Sequence, residues 1–213
     1  PVGHAVGPDS GLAPPLLPTS VGHRTGTGGH FPRAGRDEAG GRDLFADDSD
    51  KTGLGLSPLG HHFIGGLKKH AKAYIAITAP TVNSYKRLTT TAGTPTSGAT
   101  WSPIFITHGR NNRTQMLRVP APGRIEDRTV DGSCNPYLAA TAMLTAGLDG
   151  IERRLDPGDP NSANLYTMSA EDRAAAGIDT LPGNLLDATR ELAANEALRA
   201  GFGKTPDGDY IDY

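Results

Sequence analysis

At 213 residues, with 36% hydrophobic residues and a formal net charge of −2, the chain can bury one good core and carries no overall basic field of the kind that marks nucleic-acid binders or polybasic membrane anchors. Its single cysteine, Cys134, excludes an internal disulfide, and no apolar run approaches the roughly 18 residues of a membrane span. No basic segment leads into an apolar core near the start, where Leu16-Leu17 is bracketed by prolines, so the expectation is a chain that is not exported and works in a reducing cytoplasm.

From Pro1 to about Arg24, Gly and Pro are frequent and no helical or alternating period appears, which predicts a disordered leader over residues 1–25. The first helix is expected at Ser57-Pro58, an N-cap followed by proline at the first helical position. Leu59, Phe63, Leu67, His70 and Tyr74 lie along its inner face, and Pro80 stops it. Asn83-Ser84 suits a turn before Tyr85-Lys86-Arg87. Two strands are predicted, Pro103–Thr107 and Thr114–Val119, separated by the turn-like His108-Gly109-Arg110-Asn111-Asn112 and followed by a strand bearing Glu126. Connections this short predict an antiparallel sheet. A second helix should run from Asn135-Pro136 to about Arg154 and pack on the sheet through Tyr137, Thr141, Leu144, Leu148, Ile151 and Leu155. After the Pro/Asp/Gly loop of 156–161, a third helix is expected from Asn184 to Arg199, before Gly201-Phe202-Gly203 stops it. The fold class that results is α+β, an antiparallel sheet packed by helices.

The densest chemistry lies in Arg124-Ile125-Glu126-Asp127-Arg128, followed by Asp131-Gly132 and Asn135-Pro136-Tyr137-Leu138. In an extended strand residues two apart share a face, so Arg124, Glu126 and Arg128 point one way and Ile125 and Asp127 the other. A solvated sheet face held by ion pairs would look the same. One carboxylate between two guanidiniums, ahead of a helix start, also suits metal and phosphate.

Four further segments, in order, resemble the C-terminal catalytic half of the glutamine synthetase family. They are Phe63-Ile64-Gly65-Gly66-Leu67 with His70-Ala71, the run from Ala79-Pro80-Thr81 to Arg87-Leu88, Asn112-Arg113 through Arg118-Val119-Pro120, and Ala146-Gly147-Leu148-Asp149-Gly150-Ile151. With Pro122-Gly123-Arg124 through Gly132, the version here looks most like the branch of type III glutamine synthetases and γ-glutamylmethylamide synthetases. The resemblance runs from about Gly26 to Tyr213, so residues 26–213 are expected to be an incomplete C-terminal catalytic domain. It implies a ligase of nitrogen metabolism and glutamine biosynthesis. Such an enzyme is ATP-dependent, needs Mg²⁺ or Mn²⁺, acts on glutamate with ammonium or a small amine such as methylamine, and is a homo-oligomeric ring when intact.

The resemblance also implies roles residue by residue. Glu126 matches a metal ligand of the ATP-associated ion, and its hard oxygens suit Mg²⁺ or Mn²⁺. His30 aligns with the histidine ligand of the same ion, the alternative being a histidine in a flexible loop. Gly26 stands at the glutamate-contacting glycine, although Thr25 replaces the usual asparagine. Arg87 matches the arginine that grips the α-carboxylate of glutamate, a task for which its planar fork is suited. Arg128 matches a second glutamate-site arginine, Arg113 stabilises the phosphoryl transition state, and Arg118 and Arg124 contact nucleotide phosphates. Arg113 and Arg118, five apart, would lie on opposite faces of a regular strand, so Arg113 is expected in the preceding loop. Thr89 to Gly98 occupies the place of the flap over the acyl phosphate, or is a plain mobile linker, and has no acidic residue to help deprotonate an ammonium. Cys134 reads as a small buried thiol.

Phe31-Pro32-Arg33-Ala34-Gly35-Arg36 stands where the family has a His-x-His-x-Ser strand, which a local reading-frame slip would explain. The expectation is therefore either a glutamate–amine ligase represented by its C-terminal portion or a non-catalytic remnant that binds nucleotide, glutamate or an intact paralogue. In both cases the 213-residue chain alone is expected to be inactive.

Overall fold

The computed structural model describes residues 31–33, 35, 41–88, 103–204 and 206–209. Gly26, His30, the leader and the Thr89–Gly98 segment lie outside them. The architecture is helical with one small sheet, as the α+β assignment predicts.

Helix α1 (Pro58–Thr78) begins where Ser57 Oγ accepts the Gly60 N–H, with proline in the first turn, and ends before Pro80. It is the centre of the core. Phe63, Ile64, Leu67, Tyr74 and Ile75 are all buried, while Leu59, predicted on the inner face, is exposed. The turn at Asn83-Ser84 is followed by the single-turn helix α2 (Ser84–Arg87).

The sheet has four strands in the order β1-β4-β3-β2: β1 (Phe31–Arg33), β2 (His108–Arg110), β3 (Leu117–Ala121) and β4 (Arg124–Asp127). β1 is an edge strand, which is where a proline such as Pro32 is tolerated, because one side of its backbone makes no ladder. The first three residues of the segment that departs from the family pattern thus still form a strand, with Pro32 opposite Glu126. β3 and β4 form a hairpin through Pro122-Gly123, and Gly123 has φ +72, as the third position of a type II turn requires.

The sheet is mixed and not purely antiparallel, because β2 pairs parallel to β3, His108 opposite Leu117 and Arg110 opposite Val119. The expectation failed because it assumed strands of ordinary length. With β2 only three residues long the chain has to retreat only about 10 Å, well within the reach of residues 111–116. Asn112 makes the return: its Oδ1 accepts from Thr114 N and Oγ1, at 2.9 and 2.8 Å. The predicted 103–107 strand is an extended segment with one isolated bridge, Phe105 to Thr180, and Thr114–Met116 belong to the return loop.

Helix α2 is followed, past the sheet, by α3 (Pro136–Glu152), capped by Asn135, whose Oδ1 accepts from Tyr137 N and Leu138 N. Its start was legible; its buried face was not. Tyr137, Leu144 and Leu148 are exposed, at 82, 46 and 58%, while Ala139, Ala142, Met143, Ala146, Gly147 and Gly150 are buried. α3 packs chiefly on α1 and not on the sheet. The approach is too close for leucine: a Cβ on Gly66 of α1 would lie 2.0 Å from the Ala146 carbonyl, and one on Gly147 would lie 2.0 Å from the Phe63 ring. Glycine and alanine here let two backbones meet.

Three short helices complete the fold: α4 (Ala170–Ala175), α5 (Leu185–Ala193) and α6 (Glu196–Gly201). The single helix expected over 184–199 is two, because Asn195 caps a new helix by accepting the Leu198 N–H at 3.1 Å. Asn195 also donates to His70 Nδ1, whose Nε2 meets Asp149 at 2.8 Å, so one histidine ties α1, α3 and α6 together. That leaves Nδ1 as acceptor and Nε2 as the protonated nitrogen.

Candidate functional site

The two faces of β4 separate as the alternation predicts. Ile125 and Asp127 are buried at 0 and 1% exposure, and the Asp127 carboxylate meets Tyr74 of α1. On the other face Glu126 sits opposite Arg118 of β3, with Arg118 Nε 3.0 Å from Glu126 Oε2. Arg124, one pleat before Glu126 at the hairpin, is exposed.

Arg113 lies in the return loop, as its spacing from Arg118 predicts, and its side chain is exposed. The Arg128 guanidinium donates to the Arg113 carbonyl, and the Arg128 backbone N–H bonds to Met116 O at 3.1 Å. Arg128 thus clamps the loop that displays Arg113. Burial lowers the Arg128 pKa from its ordinary value, with Arg118 and Arg113 adding repulsion against the attraction of Tyr166 and Glu126. Tyr166, which the sequence reading did not single out, is pushed up to about 12 by burial, against the pull of Arg128.

Arg87 ends α2 and donates to the Thr129 carbonyl at 2.5 Å. Burial lowers its pKa too, opposed by Asp131 and Asp127 and reinforced by Arg128. Arg87 and Arg128, forty-one positions apart in sequence, therefore share one electrostatic neighbourhood, with Asp127 and Asp131 as its anions. Asp131 Oδ1 accepts from Ser133 N and Oγ, and its own N–H bonds to Thr78 O at the end of α1.

Of the eight residues singled out by the sequence, Arg118 lies on β3, Arg124 and Glu126 on β4, Arg113 and Arg128 in the segments that flank them, and Arg87 at the end of α2, from which it reaches the Thr129 carbonyl. Gly26 and His30 lie outside the described residues. Among the described residues no group of three or more His, Cys, Asp or Glu converges as a metal-ligand set. Glu126 nevertheless fits a hard divalent ion as one buried carboxylate, since Mg²⁺ takes most of its shell from phosphate oxygens and water. Cys134 is half-buried, not fully buried, and its thiol is pushed up by burial and by Asp131, which makes it a poor nucleophile. No helix of the described residues is long and apolar enough to cross a membrane.

The family model described as glutamine synthetase, catalytic domain, matches residues 3–213. The chain belongs to the glutamine synthetase family. The matched span takes in most of the Gly/Pro-rich stretch before Gly26 as well. Among curated proteins the chain is 46% identical over 197 residues to the glutamate–methylamine ligase of Methyloversatilis universalis, covering 92% of this chain and 43% of the relative. It is 44% identical over 201 residues to a glutamine synthetase of Rhizobium leguminosarum bv. phaseoli, covering 94% of this chain and 45% of the relative. A solved GmaS/ADP complex superposes with a TM-score of 0.78 at 46% identity, over 88% of this chain and 41% of that one. The chain thus spans less than half the length of these relatives.

Proposed function

We propose that this chain is the part of an ATP-dependent glutamate–amine ligase that holds the glutamate α-carboxylate and the nucleotide phosphates. The observation that carries the reading is the convergence of Arg87 and Arg128 beside the Glu126–Arg118 pair, on a chain with relatives named glutamine synthetase and glutamate–methylamine ligase. In the reaction a glutamate γ-carboxylate oxygen attacks the γ-phosphorus of ATP and ADP leaves. An amine nitrogen then adds to the γ-carbonyl carbon of the resulting γ-glutamyl phosphate, loses a proton and expels inorganic phosphate.

Each guanidinium has a task in that sequence. Arg87 takes the α-carboxylate through its planar fork, Arg128 supports the same substrate and fixes the loop of Arg113, and Arg113 meets the charge that develops on the transferring phosphoryl group. Arg118 and Arg124 bind ADP and ATP phosphates. Glu126, with His30, holds Mg²⁺ or Mn²⁺, which when bound neutralises phosphate charge. Gly26 contacts glutamate. The amine is ammonia or methylamine, the Thr/Gly/Ser composition of Thr89–Gly98 leaving room for the latter. The intact family member is a cytoplasmic homo-oligomeric ring, and the 213-residue chain by itself makes no amide, because its described residues furnish one acidic ligand where charge compensation needs several.

The test is titration calorimetry on the purified chain with L-glutamate and with Mg-ADP, alongside an amide-synthesis assay with ammonium and methylamine. Binding of both ligands without turnover is expected, with Arg87→Lys weakening glutamate about tenfold and sparing ADP. A chain that binds neither ligand overturns the reading, and turnover by the chain alone overturns its predicted inactivity.

A further inference from the structure

We propose that Asp127, which has no role in the ligand set above, is the positioning residue that aims the Arg87 guanidinium. The part of the proposal that concerns substrate rests on Arg87 being the group that takes the glutamate α-carboxylate. Asp127 is 1% exposed and its carboxylate receives three donors: Tyr74 Oη at 2.6 Å on Oδ2, and Thr129 N at 2.8 Å and Thr129 Oγ1 at 2.6 Å on Oδ1. The two bonds from Thr129 fix its backbone and its rotamer at once, as in an Asx turn. Two residues on, Asp131 N donates to Thr78 O at 2.9 Å. The peptide between these anchors carries the Thr129 carbonyl, and that carbonyl is what Arg87 grips at 2.5 Å.

Both anchors land on α1, on Tyr74 and Thr78, one helical turn apart. The exit from β4 is therefore laid along the last turns of the long buried helix α1, and the Thr129 carbonyl references Arg87, on a one-turn helix of its own, to that rigid axis. A charge-assisted set of bonds in a buried site is stiff, because each of its donors would be left unsatisfied if it moved. Asp127 touches no ligand in this scheme. It acts on Arg87 by fixing Thr129, with its own negative charge beside the guanidinium as support.

The experiment follows the arginine itself. In the 213-residue chain with labelled arginine, NMR measures rotation and hydrogen exchange of the Arg87 guanidinium, assigned by its loss in Arg87→Lys. Asp127→Ala should speed that exchange about tenfold, while Asp127→Asn, which keeps an oxygen for Thr129, should restore most of it. Gly66→Ala, which destabilises α1 away from the site, should leave it unchanged. Asp127→Ser replaces the alanine variant if that fails to fold. Unchanged exchange in the breaking variant, or an equal change in Gly66→Ala, overturns the proposal. Glutamate titration separates the two readings: an approximately tenfold loss of glutamate affinity with Mg-ADP affinity kept confirms that the aim of Arg87 matters to the substrate. A freed Arg87 in a chain whose unaltered form binds no glutamate upholds the positioning by Asp127 and sinks the glutamate assignment alone, whereas glutamate bound equally tightly despite a freed Arg87 overturns the substrate part of the proposal.

Discussion

Glu126 and Asp127 are neighbours in sequence, both carboxylates and both buried, yet they face opposite sides of one strand and live under different constraints. Asp127 points at the helical core and is bonded by one hydroxyl from α1 and by both donors of Thr129. Glu126 points at the arginine-bearing face and meets Arg118 across the ladder. A strand that alternates faces can thus place one carboxylate where it builds the fold and its neighbour on a face of arginines. Burial alone does not tell the two apart; the kind and number of donors does.

The sharpest way to break that comparison is to remove each carboxylate in turn. Asp127→Ala removes the buried acceptor of the Tyr74 hydroxyl and of both Thr129 donors and should cost about 3 kcal/mol. Glu126→Gln removes the charge that faces Arg118 at 3.0 Å but breaks no hydrogen bond between Oε2 and Nε, and should cost less, about 1–2 kcal/mol. Urea unfolding of both variants decides it, and equal losses would mean that the two faces do the same work. Glu126→Gln should also remove the metal dependence of ADP binding, which Asp127→Asn should keep.

A third buried ionisable group, His108, sharpens the contrast, because burial outweighs the only weak pull of a carboxylate on it. His108 on β2 is 1% exposed and accepts or donates no hydrogen bond at either ring nitrogen among the described residues. Burial first, then Lys68 and His61, depress its pKa to about 3, against a weaker pull from Asp156. The unfolded chain binds a proton at this histidine near pH 6.5 and the folded chain does not, so stability is full above that pH and falls as pH drops towards about 3. From pH 7 to pH 5 the loss should be about 2 kcal/mol. His108→Leu should flatten the pH dependence of the urea midpoint over that interval, whereas an unchanged slope would put the acid sensitivity elsewhere.

The elements that were legible in the sequence are those set by local chemistry. Ser57-Pro58 and Asn135-Pro136 announced α1 and α3 because a capping side chain and a proline act within one turn. The alternation of Arg124 to Asp127 gave the two faces of β4, and the spacing of Arg113 and Arg118 put the former in a loop. What failed was set by distant packing. Leu144 and Leu148 read as the inner face of α3 because leucine prefers the interior, yet α1 comes so close that Ala146, Gly147 and Gly150 take the contact. The parallel pairing of β2 depended on how short the strands are, and the roles of Tyr74 and Tyr166 on partners that lie 53 and 38 positions away in sequence. The family resemblance suggested roles for the arginines, but it could not show that Arg128 also holds the loop of Arg113.

The smallest effect on stability should come from Arg124, and that is what makes it informative. It shares the face of Glu126 but stands exposed at the hairpin, where no packing depends on it. Arg124→Ala should therefore change unfolding by no more than about 0.5 kcal/mol. If its charge serves nucleotide phosphates, removing it should still weaken Mg-ADP binding several-fold, and the loss should shrink as salt is raised, because an exposed cation acts through a screened field. Glutamate affinity should stay as it is, since Arg87 and Arg128 lie around Thr129 and the return loop and not at the hairpin. Calorimetry with the two ligands at low and high salt checks all three statements. A loss in glutamate binding would collapse the distinction between the two ends of β4, whereas a salt-sensitive loss confined to ADP would locate the phosphates at the hairpin end of the strand and the substrate carboxylate at its exit.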